Sequence, residues 1–187
     1  MLKRLTAFAD RYATGRHILY GFLASLVFGI APLSWAITRI RAHSPDAGPL
    51  DMKNTYTPDE AYAMIAKYGD DVRTFYIINA FTLDTLAPFL FNLTFLFIIL
   101  VLLRKHFGPE SRYRAAAVLV FLVAYGSDLI ENVLLSIIVG KYPERLDSLV
   151  QVACVVTVIK RVTIYMLWAA AALLGLGALA RRALRRA

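Results

Sequence analysis

Tyr125-Gly126-Ser127-Asp128-Leu129-Ile130-Glu131-Asn132-Val133-Leu134-Leu135-Ser136 lies inside an apolar run, Ala115 to Val139, long enough to cross a membrane as a helix. Two carboxylates, an Asn, two Ser and a Tyr interrupt that run. A charge near the bilayer centre costs roughly 2.5–3.5 kcal/mol on insertion scales. A chain that keeps Asp128 and Glu131 there has to pair them, wet them or protonate them, and the other apolar segments are where the partners must come from.

The whole chain supports a membrane reading of that run. Of 187 residues, 59% are hydrophobic and 18% charged, and the mean hydropathy is +0.58. Soluble domains sit nearer about 45–50% apolar and about 25% charged. Apolar segments fall at about 18–38, 75–103, 115–139 and 149–180. The expected fold is therefore all-α, an integral membrane four-helix bundle forming a single transmembrane domain over 1–187. The net charge of +8 does not point to nucleic acid, because the basic residues sit at the ends of apolar segments, the usual anchoring pattern. Cys154 is the single cysteine, so no internal disulfide forms. No HExxH, GxSxG or phosphate-binding Gly loop is present, and His17, His43 and His106 fall outside the expected spans. No cofactor and no metal site is read from the chain.

Outside the spans, Leu2, Leu5, Phe8, Ala9 and Tyr12 recur at helical spacing among Lys3, Arg4, Asp10 and Arg11, which predicts a short surface helix. Pro32 is expected to kink the first span by removing a backbone donor from the carbonyl of Phe28. The long loop, 39–74, begins with Ser44-Pro45 and Gly48-Pro49 as breakers. Within it, Thr57-Pro58-Asp59-Glu60 reads as a capping box with Pro at the first helical position. A short amphipathic helix follows, which Gly69 is placed to end.

Lys and Arg in the flanks set the orientation. The N-terminal tail, the loop after the second span and the C-terminal tail (Arg181, Arg182, Arg185, Arg186) are basic, whereas the turn between the third and fourth spans has only Lys141 and Arg145. A multi-pass protein with both termini cytoplasmic and the capped helix outside is expected.

At about 1.5 Å of rise per residue, Asp84 lies roughly 12 Å below the outer end of the second span. Asp128 and Glu131 lie roughly 12–18 Å below the outer end of the third, and Lys160 and Arg161 roughly 16–20 Å below that of the fourth. Five charges thus converge on one level. At about 100° per residue, Asp84, Pro88 and Asn92 share one side of their helix. Tyr125, Asp128, Asn132 and Ser136 share a side of theirs, with Glu131 at the edge. Pro88 also takes the usual donor from the carbonyl of Asp84. Three acids against two bases leave the layer one positive charge short, to be met by a proton or a cation.

Asp84, Asp128, Glu131, Asn132, Lys160 and Arg161 are the ligand- or proton-binding candidates. The first functional reading is a pocket in the outer half that binds or acts on a small amphipathic or lipid-like molecule. Proton or cation transport by a homo-oligomer is the alternative, and an accessory or assembly protein whose charges pair structurally is a third. Intramembrane hydrogen bonds return only about 0.6 kcal/mol on average, a small gain for five buried charges.

The succession Tyr56-Thr57-Pro58-Asp59-Glu60-Ala61, Gly69, Arg73, Tyr76, Asp84, Pro88, Asp128 to Asn132, Thr157 and Lys160 resembles a group of small bacterial four-span membrane proteins. That resemblance implies the fold and a bacterial inner-membrane location and supplies no activity. Val72 stands where the group would have Gly. Asp84 followed by Pro88, with the general layout, is also faintly similar to the emopamil-binding type of sterol isomerase, in which acidic residues line a central cavity.

Overall fold

The computed structural model of the chain describes residues 1–43, 48–108 and 110–185, and among these it contains helices and no strand. Four helical stretches are long and apolar enough to cross a membrane: Gly15–Ala42, Asp70–Phe107, Tyr113–Lys141 and Asp147–Leu184. The protein is an all-α, multi-pass membrane bundle. Each stretch outruns its apolar core because the flanking polar residues continue the helical hydrogen bonding. The Ser44-Pro45 breaker and Arg186 lie outside the described residues.

The N-terminal segment forms α1 (Leu2–Tyr12), which packs on the second and third spans. Asp10 pairs there with Arg114 and, at 3.6 Å, with Arg104. Arg104 also donates to the carbonyl of Asp10 at 3.2 Å and to that of Ala13. Both termini therefore gather at one end of the bundle, beside the loop between the second and third spans.

The first span is α2 (Gly15–Ala24), a π-helical turn (Ser25–Ile30) and α3 (Ala31–His43). The expected disturbance at Pro32 takes the form of this wider turn, in which the N–H of Ala31 reaches back to the carbonyl of Leu26. Gly21, Ser25 and Gly29, four residues apart, lie on the side facing the second span. A Cβ on Gly21 would sit 2.5 Å from Thr94 Oγ1, and one on Gly29 would sit 3.6 Å from Ala87 Cβ. Small residues at this spacing let two membrane helices approach closely. Gly21→Leu is expected to lower the unfolding midpoint in detergent, an overpacking cost of about 1–3 kcal/mol. Gly175→Ala, where a Cβ meets nothing within 4 Å, is expected to be neutral or stabilising. Equal midpoints for the two variants would refute a close approach of the first span.

After the first span the chain runs through a strap containing a 3₁₀ turn (Leu50–Met52) to α4 (Pro58–Ile65). The capping box is formed: Glu60 N–H donates to Thr57 Oγ1 at 3.2 Å, and Thr57 N–H to Glu60 Oε2 at 2.8 Å. The donated backbone bond holds the Glu60 carboxyl below its ordinary range. α4 lies over the bundle mouth, where Tyr62 bonds the backbone of Glu144 and Leu146 and Arg145 pairs with Asp59 at 2.6 Å. The helix ends at Ile65, not at Gly69. Gly69, extended at φ −69° and ψ 169°, instead precedes α5 (Asp70–Ala80), whose first turn carries Asp70 and Asp71. Acids in a first turn are favoured by the helix dipole, and they move the start of the second span ahead of Phe75.

That span is not continuous. It breaks at Phe81-Thr82 and resumes as α6 (Leu83–Phe107). The third and fourth spans are α7 (Tyr113–Lys141) and α8 (Asp147–Leu184). Two apolar cores form. One, with Leu50, Ile65, Tyr68, Ile138 and Val150, fills the strap end. The other, with Leu96, Leu100, Phe121, Ala124 and Leu167, fills the terminal half. Along α7 and α8, Asp128, Glu131, Asn132, Thr157 and Lys160 lie at the level between these cores.

Candidate functional site

From the strap end, Asp84 lies 14 residues along the second span, Asp128 lies 13 residues back along α7, and Lys160 lies 13 residues along α8. Each is about 20 Å of helical rise from that end, so the shared depth expected from spacing is realised. Asp128 and Glu131 are 2% and 0% exposed and Lys160 is 7% exposed. The Lys160 ammonium pairs directly with Glu131 Oε2 and lies 3.4 Å from Asp128 Oδ1. Thr157, one turn before Lys160, donates to Glu131 Oε1, and the Tyr56 hydroxyl lies 3.1 Å from Thr157 Oγ1. Burial pushes the Tyr56 phenol above its ordinary range, so it remains a neutral hydroxyl. Glu131 is engaged at both oxygens. Asp128 keeps Oδ2 buried without a hydrogen-bond partner.

Asn132 has a different role. The break at Phe81-Thr82 frees the carbonyl of Ala80, and Asn132 Nδ2 donates to it at 3.0 Å, with Thr85 Oγ1 donating at 2.8 Å. A backbone carbonyl inside a membrane has to find a donor within the protein. The Asn132 amide supplies one, so it repairs a helix and does not line the cleft that Asp84 and Asp128 line. Pro88 was expected to leave a carbonyl at Asp84 as the local need; the carbonyl that side chains serve is that of Ala80. Tyr125 packs among rings, 5.0 Å from Phe89 between centroids.

Arg161 turns to the strap, donating from Nη2 to the carbonyl of Asp51 at 2.9 Å and from Nε to that of Lys53 at 3.2 Å. Tyr76 donates to Asp51 Oδ1 at 2.9 Å, and Tyr68, stacked on Tyr76, donates to the carbonyl of Gly48 at 2.7 Å. These bonds bring Asp51 down into the polar layer. Asp51 and Tyr56 are the site residues that spacing along the spans does not reveal. For Asp51 the signal is local: Leu50 and Met52 flank it with apolar side chains.

The groups converge on a cleft of about 380 Å³. Asp84, Asp128, Lys160, Arg161 and Asp51 line its polar end, and Phe91, Ile164, Tyr165 and Trp168 line its apolar end. The π-helical turn contributes Ser25, Gly29 and Ile30 to the opposite wall. Glu131 stands behind Lys160 and Asn132 lies off to the side, so neither lines the cleft. Asp84 has no hydrogen-bond or ion-pair partner among the described residues. With Asp51, Asp84, Asp128 and Glu131 against Lys160 and Arg161, the fully ionised site is two positive charges short. The first span packs along α6 and has no comparable contact with α8. The cleft therefore opens sideways between them, past half-exposed Tyr165 and Trp168.

No family model matches the chain, and no curated protein and no solved structure matches it.

Proposed function

We propose that the cleft binds a single-chain amphipathic molecule with a cationic head group, taken up from the outer leaflet, with the strap end outside. The observation that carries this reading is Asp84: an unpartnered carboxylate on the wall of a cleft that is short of positive charge. An ammonium group entering there would meet Asp84 and Asp128 in a medium of low dielectric, where opposite charges attract strongly. Phe91, Tyr165 and Trp168 form an aromatic wall, with Trp168 edge-on to Phe91 at 5.9 Å. Such faces favour cations and apolar chains alike. The sideways opening suits a molecule that keeps its tail in lipid.

Transport is the weaker reading, although a broken span is a device that transporters use. The carbonyl freed at the break is already taken by Asn132 and Thr85. Below the polar layer, the core of Leu96, Leu100, Phe121 and Leu167 offers a cation no polar path to the other end.

The test uses purified protein in a neutral detergent and three probes of equal chain length: an alkyltrimethylammonium, an alkyl sulfate and an uncharged alkyl glycoside. Only the ammonium compound is expected to raise the unfolding midpoint, and Asp84→Asn is expected to weaken its binding about ten- to a hundred-fold, as loss of a buried charge pair does. Equal stabilisation by all three heads, or an unchanged response in Asp84→Asn, would overturn the reading.

A further inference from the structure

A second site lies at the other end of the molecule. α8 is longer than a membrane requires. From Leu149, Arg181 lies roughly 48 Å along the helix, beyond a hydrocarbon core of about 30 Å and at the outer limit of a bilayer about 40–45 Å thick with its head groups. There Lys105 and His106, in the last turn of α6, face Arg181, Arg182 and Arg185 across a pocket of about 300 Å³ with no acidic residue in its lining. His106 is fixed in place: its Nε2 donates to the carbonyl of Leu174 at 3.0 Å. Its ring lies so close to α8 that a Cβ on Gly177 would approach Cε1 to 3.2 Å.

The other basic residues that meet here are already used. Arg104 and Arg114 are tied to Asp10 and to the backbone of α1. Lys105, Arg181, Arg182 and Arg185 have no acidic or carbonyl partner among the described residues. Four exposed like charges that converge without an acid repel one another and favour a bound anion. Two helix C-termini supply part of it as partial negative charge, but that is too little for four cations.

What the anion is attached to follows from the neighbouring groove. About 380 Å³ of nearly all-apolar space, lined by Ile99, Leu103, Val120, Ala170, Leu173 and Leu174, runs between α6, α7 and α8 toward the membrane interior. On α8, Ala170, Leu174, Ala178, Arg181 and Arg185 follow at steps of three or four residues, so groove and basic pocket share one stripe of the helix. An apolar groove leading up to a cationic pocket at head-group level matches the two ends of one molecule. We infer that the basic end of the bundle holds an anionic phospholipid, its phosphate among Lys105, Arg181, Arg182 and Arg185 and an acyl chain in the groove between α6 and α8. This site is separate from the strap-end cleft in position and in the sign of its charge.

Delipidated protein in a neutral detergent, titrated with phosphatidylglycerol, phosphatidylcholine or inorganic phosphate and followed by native mass spectrometry and unfolding midpoint, tests the assignment. Phosphatidylglycerol is expected to bind and stabilise, and phosphatidylcholine, of no net charge, to do neither. Replacing Arg181, Arg182 and Arg185 together with Gln is expected to weaken phosphatidylglycerol about a hundred-fold, from about 1 kcal/mol per basic contact. The variant's lipid-free midpoint should stay unchanged, since these side chains hold nothing else in the protein. Leu173→Trp, which fills the groove from its exposed rim, is expected to weaken the lipid while leaving any response to inorganic phosphate as it was. The inference is overturned if phosphatidylcholine binds as tightly, if the triple variant keeps its phosphatidylglycerol, or if inorganic phosphate alone gives the full stabilisation.

Discussion

Lys160→Met will destabilise the folded protein by about 3–5 kcal/mol, the cost of removing one partner from a buried charge cluster. Met has nearly the length of Lys and fills the same space, so the loss is electrostatic. Glu131 is 0% exposed and loses its direct ion pair, and Asp128, already unpartnered at Oδ2, loses the ammonium 3.4 Å from Oδ1. An exposed pair would return less than about 1 kcal/mol, so the size of the effect reports the burial. Adding Glu131→Gln to the Met variant is expected to recover a large part of the loss, because the neutral amide keeps the Thr157 contact without a bare charge. The readout is the free energy of unfolding in detergent for wild type, both single variants and the double variant. If Lys160→Met costs less than about 1 kcal/mol, or Glu131→Gln restores nothing, the cluster does not hold α7 and α8 together. Lys160 then also has no claim to fix Asp128 at the wall of the cleft.

Spacing and hydropathy reveal the spans and the common depth of Asp84, Asp128 and Lys160 because both depend on helical rise alone. They do not reveal what each polar residue touches. Asn132 illustrates the gap: its place in an apolar run signals a buried partner, but the partner is a carbonyl released by a break at Phe81-Thr82, where neither Pro nor Gly marks the chain. Thr82 assists that break by turning its hydroxyl back to the carbonyl of Ile78 at 2.8 Å, a competition with the backbone open to any Thr. Gly69 is a different case. It reads as a helix stop, yet Asp70 and Asp71 after it are a helix-start signal, and the two together identify a junction. Asp51 stays hidden because a strap's path is set by distant anchors. Arg161, read as a candidate for ligand, is one of those anchors, and its partners are carbonyls, which carry no mark in the sequence. The close approach at Gly21 and Gly29 is legible in principle, as small residues four apart in a span.

Those anchors give the second large effect. In Arg161→Met the strap loses two hydrogen bonds from a charged donor, to the carbonyls of Asp51 and Lys53. Bonds to charged groups contribute about 1.5–3 kcal/mol each. Water takes over part of that at the rim, so the opening free energy of the strap should fall by about 2–3 kcal/mol in all, which is roughly a hundred-fold in exchange rate. Two amides report it directly: Met52 N–H, bonded to the carbonyl of Pro49, and Lys53 N–H, bonded to that of Leu50. Leu50 stays fully buried in the strap-end core, so it should hold while the turn beyond it frays open, and protection in α7 and α8 should be unchanged. Tyr76→Phe removes a single bond, to Asp51 Oδ1, and is expected to raise the same two rates only about ten-fold. Opening also carries Asp51 away from the cleft. An alkylammonium probe should then enter faster and leave faster still, because one of its three facing carboxylates is gone. Unchanged protection of Met52 and Lys53 in Arg161→Met would show that apolar burial of the strap suffices and that Arg161 does not control access to the cleft.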